Sequence, residues 1–179
     1  MSAKKIILGT CVVGSVLLGN IAHAIATEYY VGDATEKNNL VIEPNYLTNI
    51  EMSRMPEGMV TGQDVVHLEV DVHADKGEPH GFAEKEWVPY LTVGYTIEKV
   101  GGNFKKSGHL FAMTAGDGPH YANNVALAGA GQYRLTYSFA PPSKAGFIRH
   151  VDQATGVPEW WKPFSLDWTF TYPSKPKSE

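Results

Sequence analysis

The segment Met113-Thr-Ala-Gly-Asp-Gly-Pro-His120-Tyr121 places a thioether and an imidazole at the two ends of a Gly/Pro-rich turn. Upstream, His67-Leu-Glu69 offers a second imidazole and a carboxylate two residues apart. On a strand that spacing sends both side chains out of one face, about 7 Å apart, so both can point at one ion above it. Taken alone, the pair fits a solvated strand face better than a metal site. A third imidazole, His150, lies in Lys144-Ala-Gly-Phe-Ile-Arg-His150, between the Pro141-Pro142 break and Gly156. A long loop carrying Arg149, His150 and Asp152 is either functional or simply solvated. Sulfur selects soft ions such as Cu(I), imidazole suits copper, zinc or iron, and carboxylate favours harder ions. A Met/His/Glu set of this kind points to metal handling.

Other chemistries find little support in the chain. There is no nucleophile-elbow serine, no phosphate-binding glycine loop and no dinucleotide fingerprint. Asp117-Gly118 reads as a turn, because the alternating oxygen ligands of a calcium loop are missing. Residues 1–24 have the pattern of a secretory signal peptide: Lys4 and Lys5, an apolar run from Ile6 to Leu18, then Ala22-His23-Ala24. Its removal takes away the one cysteine, Cys11, so no thiolate remains and no disulfide can form. It also takes two lysines from a chain of formal charge −4. The acidic remainder argues against nucleic acid and suits cations. About 155 residues remain, enough for one domain. The expected division is a leader over 1–24, a single domain over 25–173 and a disordered tail over 174–179.

Something must hold these donors, and period-two alternation supplies the scaffold. In Val66-His67-Leu68-Glu69-Val70-Asp71-Val72-His73 the even positions are aliphatic and the odd ones polar, as in a strand with one buried and one wet face. Similar runs carry Leu91 to Ile97, Tyr133 to Phe139 and Leu166 to Tyr172. A further run sets Leu110 and Ala112 against His109, Phe111 and Met113, and Leu40-Val-Ile-Glu43 reads as another strand. Turn clusters at 75–79, 100–103, 116–119 and 128–131 separate the runs. Met52, Met55 and Met59 fall in a loop-like stretch. The expected fold is all-β, an immunoglobulin-like antiparallel β-sandwich of about seven to nine strands, with a closed barrel as the alternative.

Five separated blocks, in order, resemble the periplasmic iron-uptake proteins that accompany a bacterial high-affinity iron permease. They are His67-Leu-Glu-Val-Asp-Val-His73-Ala74, Gly81-Phe-Ala-Glu-Lys-Glu-Trp87, Asp117-Gly-Pro-His-Tyr121, Lys144-Ala-Gly-Phe-Ile-Arg-His150 and Gly156-Val-Pro-Glu-Trp-Trp-Lys-Pro-Phe164. The resemblance implies a periplasmic homodimer that binds copper at a mixed Met/His site, with iron or manganese in addition. Carried over residue by residue, it places metal ligands at His67, Glu69, Met113, His120 and His150. It also implies an iron permease in the inner membrane as partner. The match departs at Ala122, where the family usually has Gly, and in the N-terminal block around Asn39 to Glu43.

The leading expectation is a non-enzymatic metal-binding component of iron uptake. One alternative is a copper-dependent oxidoreductase converting Fe(II) to Fe(III), although the chain lacks the cysteine of blue-copper sites. Another is a structural or adhesive β-sandwich whose histidines are incidental. The exposed-looking aromatics Trp87, Tyr90, Trp160 and Trp161 are candidates for a subunit interface.

Overall fold

The alternating runs become strands whose apolar faces meet. The structure, a computed structural model, describes residues 27–177; the leader expected over 1–24 lies outside them. Ten strands are present among the described residues: β1 (Thr27–Tyr30), β2 (Thr35–Lys37), β3 (Leu40–Thr48), β4 (Val65–Ala74), β5 (Thr92–Lys99), β6 (Lys105–His109), β7 (Phe111–Ala115), β8 (Gly118–Ala126), β9 (Gly131–Ala140) and β10 (Phe164–Tyr172). One sheet runs β1-β3-β4-β8-β7, with β2 also on β3; the other runs β10-β9-β5-β6. All pairings are antiparallel. The expected all-β antiparallel sandwich is therefore what forms.

Between the sheets lies the core. Ile42 and Tyr46 of β3, Val66, Leu68, Val70 and Val72 of β4, and Tyr121 and Val125 of β8 form one wall. Val93, Ile97, Tyr133, Leu135, Tyr137, Phe139, Trp168 and Phe170 form the other. Burying aliphatic and aromatic side chains stabilises by roughly 1.5–3 kcal/mol each, and with no cysteine among the described residues, this wall-to-wall contact carries their fold. Tyr hydroxyls in the core stay bonded: Tyr137 donates to the Glu69 carbonyl at 3.0 Å, and Tyr121 to the Val88 carbonyl at 2.8 Å.

Three expectations need correction. The alternation through Leu110 and Ala112 is not one strand. β6 ends at His109 in the four-stranded sheet and β7 begins at Phe111 in the six-stranded one. Leu110 is the crossover, tied by its N–H to the Val93 carbonyl at 2.9 Å, so His109 and Met113 share no face. The alternation continues across the step because each side of it is itself a strand. Second, the turn at 116–119 is tighter than expected. Only Gly116 and Asp117 turn, β8 starts at Gly118, and His120 is a strand residue directly opposite Met113.

Third, the expected disordered tail is docked over 174–177. Pro176 bridges Tyr29, the Lys177 N–H donates to the Glu28 carbonyl at 3.0 Å, and the Ser174 N–H donates to the Tyr46 hydroxyl at 2.8 Å. An edge strand offers unpaired backbone groups, and this segment satisfies part of the β1 edge. The aromatic pair after the long loop divides in role. Trp161 packs edge-on against Phe164 at the core, whereas Trp160 stacks on His80 at 4.2 Å and fastens the loop end to the body.

Candidate metal centre

β4 sits in the middle of the six-stranded sheet, so its outward residues have neighbours on both sides. His67 pairs with Leu47 of β3 and Asn124 of β8; Glu69 pairs with Asn45 and Ala122. The expected wet face is instead covered. His67, Glu69 and His120 are only 4, 5 and 4% exposed. The stretch 49–56 between β3 and β4 arches over this face and, with Phe111 to Ala115, walls a cavity of about 680 Å³. His67, Glu69 and His120 line its floor, with Met52 and Met113 also on its lining.

The three floor residues converge. His120 Nε2 lies 3.3 Å from Glu69 Oε2 and His67 Nε2 lies 3.9 Å from the same oxygen. Their ligand atoms all lie within 4.8 Å of one another, close enough to share one ion. The two rings stand at 88° with centroids 5.9 Å apart, so their edges meet at the carboxylate rather than stacking. Met113 joins through the sheet itself: it is the cross-strand partner of His120 on the β7–β8 hairpin.

Hydrogen bonds fix which nitrogen of His67 is available. The Asn124 amide N–H donates to the Val60 carbonyl at 2.9 Å, which turns its carboxamide oxygen toward His67 Nδ1 at 2.8 Å. That oxygen only accepts, so Nδ1 carries the hydrogen and Nε2 keeps its lone pair facing Glu69. Such an outer partner is the usual support of a metal-ligating histidine. The same Asn124 bond pins the β3–β4 connection over the cavity. In His120, Nε2 faces Glu69 while the ring also hydrogen-bonds the Gly118 backbone.

Electrostatics complete the picture. Burial pushes the Glu69 carboxyl up to about 8, helped by the charges of Asp71, Asp117 and Glu28 and opposed by Lys177. Burial also pushes Asp71 up to about 6, with Glu43, Asp117 and Glu28 adding to it. It lowers both imidazoles: His67 against its Asn124 bond, His120 against its Gly118 bond and Asp117. At neutral pH the metal-free floor is therefore two neutral imidazoles and a largely protonated carboxyl. An ionised carboxylate is costly in such surroundings, and a bound cation removes that cost by replacing the proton.

His150 is not gathered with the others. Its side chain is 73% exposed, its Nδ1 pairs with Thr155 Oγ1 at 2.8 Å and lies 3.8 Å from Asp152 Oδ2, and it does not line the cavity. Its loop is held nonetheless: Phe147 stacks on Tyr90 at 4.8 Å, and the Arg149 guanidinium donates to the Val157 carbonyl at 3.0 Å. Ile148 and Val151 beside it are 88 and 75% exposed. Sequence reasoning missed Asn124 and the covering role of Met52. Asn124 is four residues after His120 on the same face, but Asn123 on the core face hides the alternation that would have marked β8.

Comparison with known proteins follows the same outline. The family model described as Fe2+ transport protein matches residues 25–174. A UPF0423 protein of Brucella abortus is 42% identical over 154 residues, spanning 83% of this chain and 84% of its own. The copper-reconstituted P19 protein of Campylobacter jejuni is similar at a TM-score of 0.76 and 42% identity, covering 84% of this chain and 99% of that one. A copper-bound glutamate-to-glutamine variant of FetP from uropathogenic Escherichia coli strain F11 is similar at 0.76 and 41% identity, covering 83 and 99%.

Proposed function

The chain belongs to the Fe2+ transport protein family, and from that premise we propose that it is the periplasmic metal-binding component of a high-affinity iron-uptake system, holding copper at His67, Glu69, Met113 and His120. The observation that carries this reading is the buried His67–Glu69–His120 floor, with a thioether on the partner strand and a cavity open above it. The donor set fits copper. Two imidazoles and a carboxylate suit Cu(II), the thioether suits Cu(I), and Cu(II) outranks iron and manganese in affinity at sites of this kind. Copper would supply a centre able to exist in either oxidation state. The chain's own residues orient it: Asn124 sets the His67 tautomer, and Glu69 gives up its proton on loading. Iron or manganese would draw mainly on Glu69, the hardest donor.

His150 is the fifth candidate, and in this reading it comes from a second copy. An ordered loop tip that presents an imidazole between bare Ile148 and Val151 suits insertion into another chain's cavity rather than its own. A homodimer is part of this reading, and the family's link to Fe2+ transport supports delivery to an inner-membrane iron permease. The leader over 1–24 would bring the chain to the periplasm.

Metal titration of the purified protein tests the site. Wild type should take up one copper ion per chain and gain thermal stability, since an ion bound only by the folded state stabilises it. Met113→Ala/His120→Ala should lose both effects. Equal stoichiometry and equal stabilisation in the two proteins would overturn the assignment. Oxygen consumption with Fe(II), measured on the copper-loaded form against free copper, separates simple binding from oxidation.

A further inference from the structure

The loop tip that carries His150 is built around two side chains outside the metal centre, Asp152 and Thr155. The Gly156 N–H donates to the Asp152 carbonyl at 2.9 Å and the Val157 N–H to the His150 carbonyl at 3.1 Å, which closes the turn from both ends. A Cβ at position 156 would clash with the Asp152 carbonyl oxygen, so the turn closes this tightly only on glycine. Asp152 Oδ1 accepts from the Ala154 N–H at 3.0 Å and from the Thr155 N–H at 2.9 Å, which fixes the carboxylate in place. Its other oxygen, Oδ2, accepts from the Thr155 hydroxyl at 2.7 Å. A hydroxyl has one hydrogen, and here it is committed to the carboxylate. Toward His150 Nδ1, 2.8 Å away, Thr155 Oγ1 can therefore only accept. Nδ1 carries the hydrogen, and in the neutral ring Nε2 keeps its lone pair.

We propose that Thr155, held by Asp152, is a positioning residue for copper: it fixes the His150 tautomer so that the loop offers Nε2 to the centre of a second copy. The proposal rests on the reading of His150 as a ligand supplied by another chain. The geometry repeats, with different side chains, what Asn124 does for His67. In both places an oxygen that can only accept sits 2.8 Å from Nδ1 and leaves Nε2 free. The fold itself has no need of this at position 150. The His150 side chain is 73% exposed, so water could satisfy either nitrogen and packing selects neither tautomer. A metal does select one, because the ligating nitrogen must be free of its hydrogen, and outer partners of this kind hold the tautomer and orientation of metal-ligating histidines. The loop settles only which nitrogen is offered; the second copy supplies the ion and the other donors.

The test reads tautomer and affinity separately, on the full chain. In metal-free protein in mildly alkaline buffer, where an ordinary imidazole is neutral, the ring-nitrogen chemical shifts of His150 should place its hydrogen on Nδ1. Thr155→Val should let the two tautomers mix, and Thr155→Ser should restore the single form. Asp152→Asn should push the hydrogen toward Nε2: an amide N–H in place of Oδ2 donates to Thr155 Oγ1 and frees the hydroxyl hydrogen for Nδ1. Competition titration with copper should then find Thr155→Val weaker by roughly two- to fivefold, part of the roughly three- to tenfold expected of His150→Ala. Thr155→Ser should match wild type, and in a His150→Ala background Thr155→Val should add nothing. A wild-type ring with its hydrogen on Nε2 overturns the proposal. So does a Thr155→Val protein that binds copper as wild type does while His150→Ala is weakened, or a Thr155→Val loss that persists without His150, which would belong to the fold of the loop. His150→Ala binding copper as wild type does would instead overturn the reading of His150 as a ligand, and the proposal with it, whatever the ring shifts show.

Discussion

His120 and His150 are the same side chain in opposite settings. His120 sits on a central strand face, 4% exposed, with Glu69 at 3.3 Å and a lowered affinity for protons. His150 sits on a loop tip, 73% exposed, held by Thr155 and flanked by bare aliphatic side chains. A buried imidazole is kept neutral and oriented, which is what a metal requires of it, and its cost of burial is returned only when something binds. An exposed imidazole meets no such demand and has to be given one by a second surface. The difference separates a ligand that the single chain prepares from one that assembly has to add.

The strongest way to break this contrast is to remove a prepared ligand. His67→Ala deletes one of three convergent donors and leaves Glu69 buried beside a hole. Copper affinity should fall by about a hundredfold or more, since changes one shell further out already cost about 10- to 100-fold. Competition titration against a copper chelator measures it. A loss no greater than that of His150→Ala would remove the distinction between the two settings.

The next effect concerns preparation itself. Asn124→Ala touches no ligand atom of the floor but frees His67 Nδ1 and releases the bond to Val60 that fastens the β3–β4 connection. Copper affinity should drop roughly 10- to 100-fold. Asn124→Asp should retain most of it, because a carboxylate still accepts from Nδ1–H. If both substitutions were silent, the orientation of His67 would owe nothing to its hydrogen bond.

A third prediction sharpens the contrast through pH. Glu69 binds its proton more tightly folded than unfolded, with its value raised from the ordinary 4.5 to about 8. The folded metal-free chain therefore holds more protons than the unfolded one between those values, and stability falls as pH rises through them. The two floor histidines, whose values are lowered from 6.5, oppose part of this decline just above pH 6.5, where the unfolded chain still binds some of their protons, and cease to contribute toward pH 8. Denaturant midpoints of metal-free protein should thus decline from pH 6.5 to 8, by on the order of 1–2 kcal/mol in that window. Saturating copper should reverse the trend, since the ion replaces the proton. Glu69→Gln should flatten the metal-free decline.

How far the residues announced all this varies with the kind of information required. Strands β4, β9 and β10 were legible because period-two alternation reports directly on which face is apolar. The same signal could not tell a wet outer face from a covered one. That His67 and Glu69 are buried depends on the 49–56 stretch, whose two methionines and one proline carry no periodicity. Nor could alternation reveal that the chain changes sheets at Leu110, because strand residues lie on both sides of the step. The Gly116–Pro119 cluster marked the hairpin but overstated its length, which disguised His120 as a turn residue. The tail looked polar and unstructured by composition. Its docking depends on Lys177 finding Glu28 and Glu43, acids that are far away in the sequence.

The smallest expected effect is at the loop tip. If His150 serves a neighbouring chain, its contribution exists only in the dimer and is diluted by the entropy of assembly, so His150→Ala should weaken copper binding by only about three- to tenfold. Its signature is in concentration dependence rather than size. Wild-type copper affinity should weaken as the protein is diluted through its dimer dissociation range, and copper should in turn strengthen the dimer, because linkage between the two equilibria is reciprocal. In His150→Ala both dependences should vanish while the dimer itself persists. Ile148→Asp should act in the opposite order, dissolving the dimer first and lowering copper affinity as a consequence. A wild-type affinity that is constant across the monomer–dimer range would place His150 outside the centre, and leave it as the solvated loop histidine that its exposure alone describes.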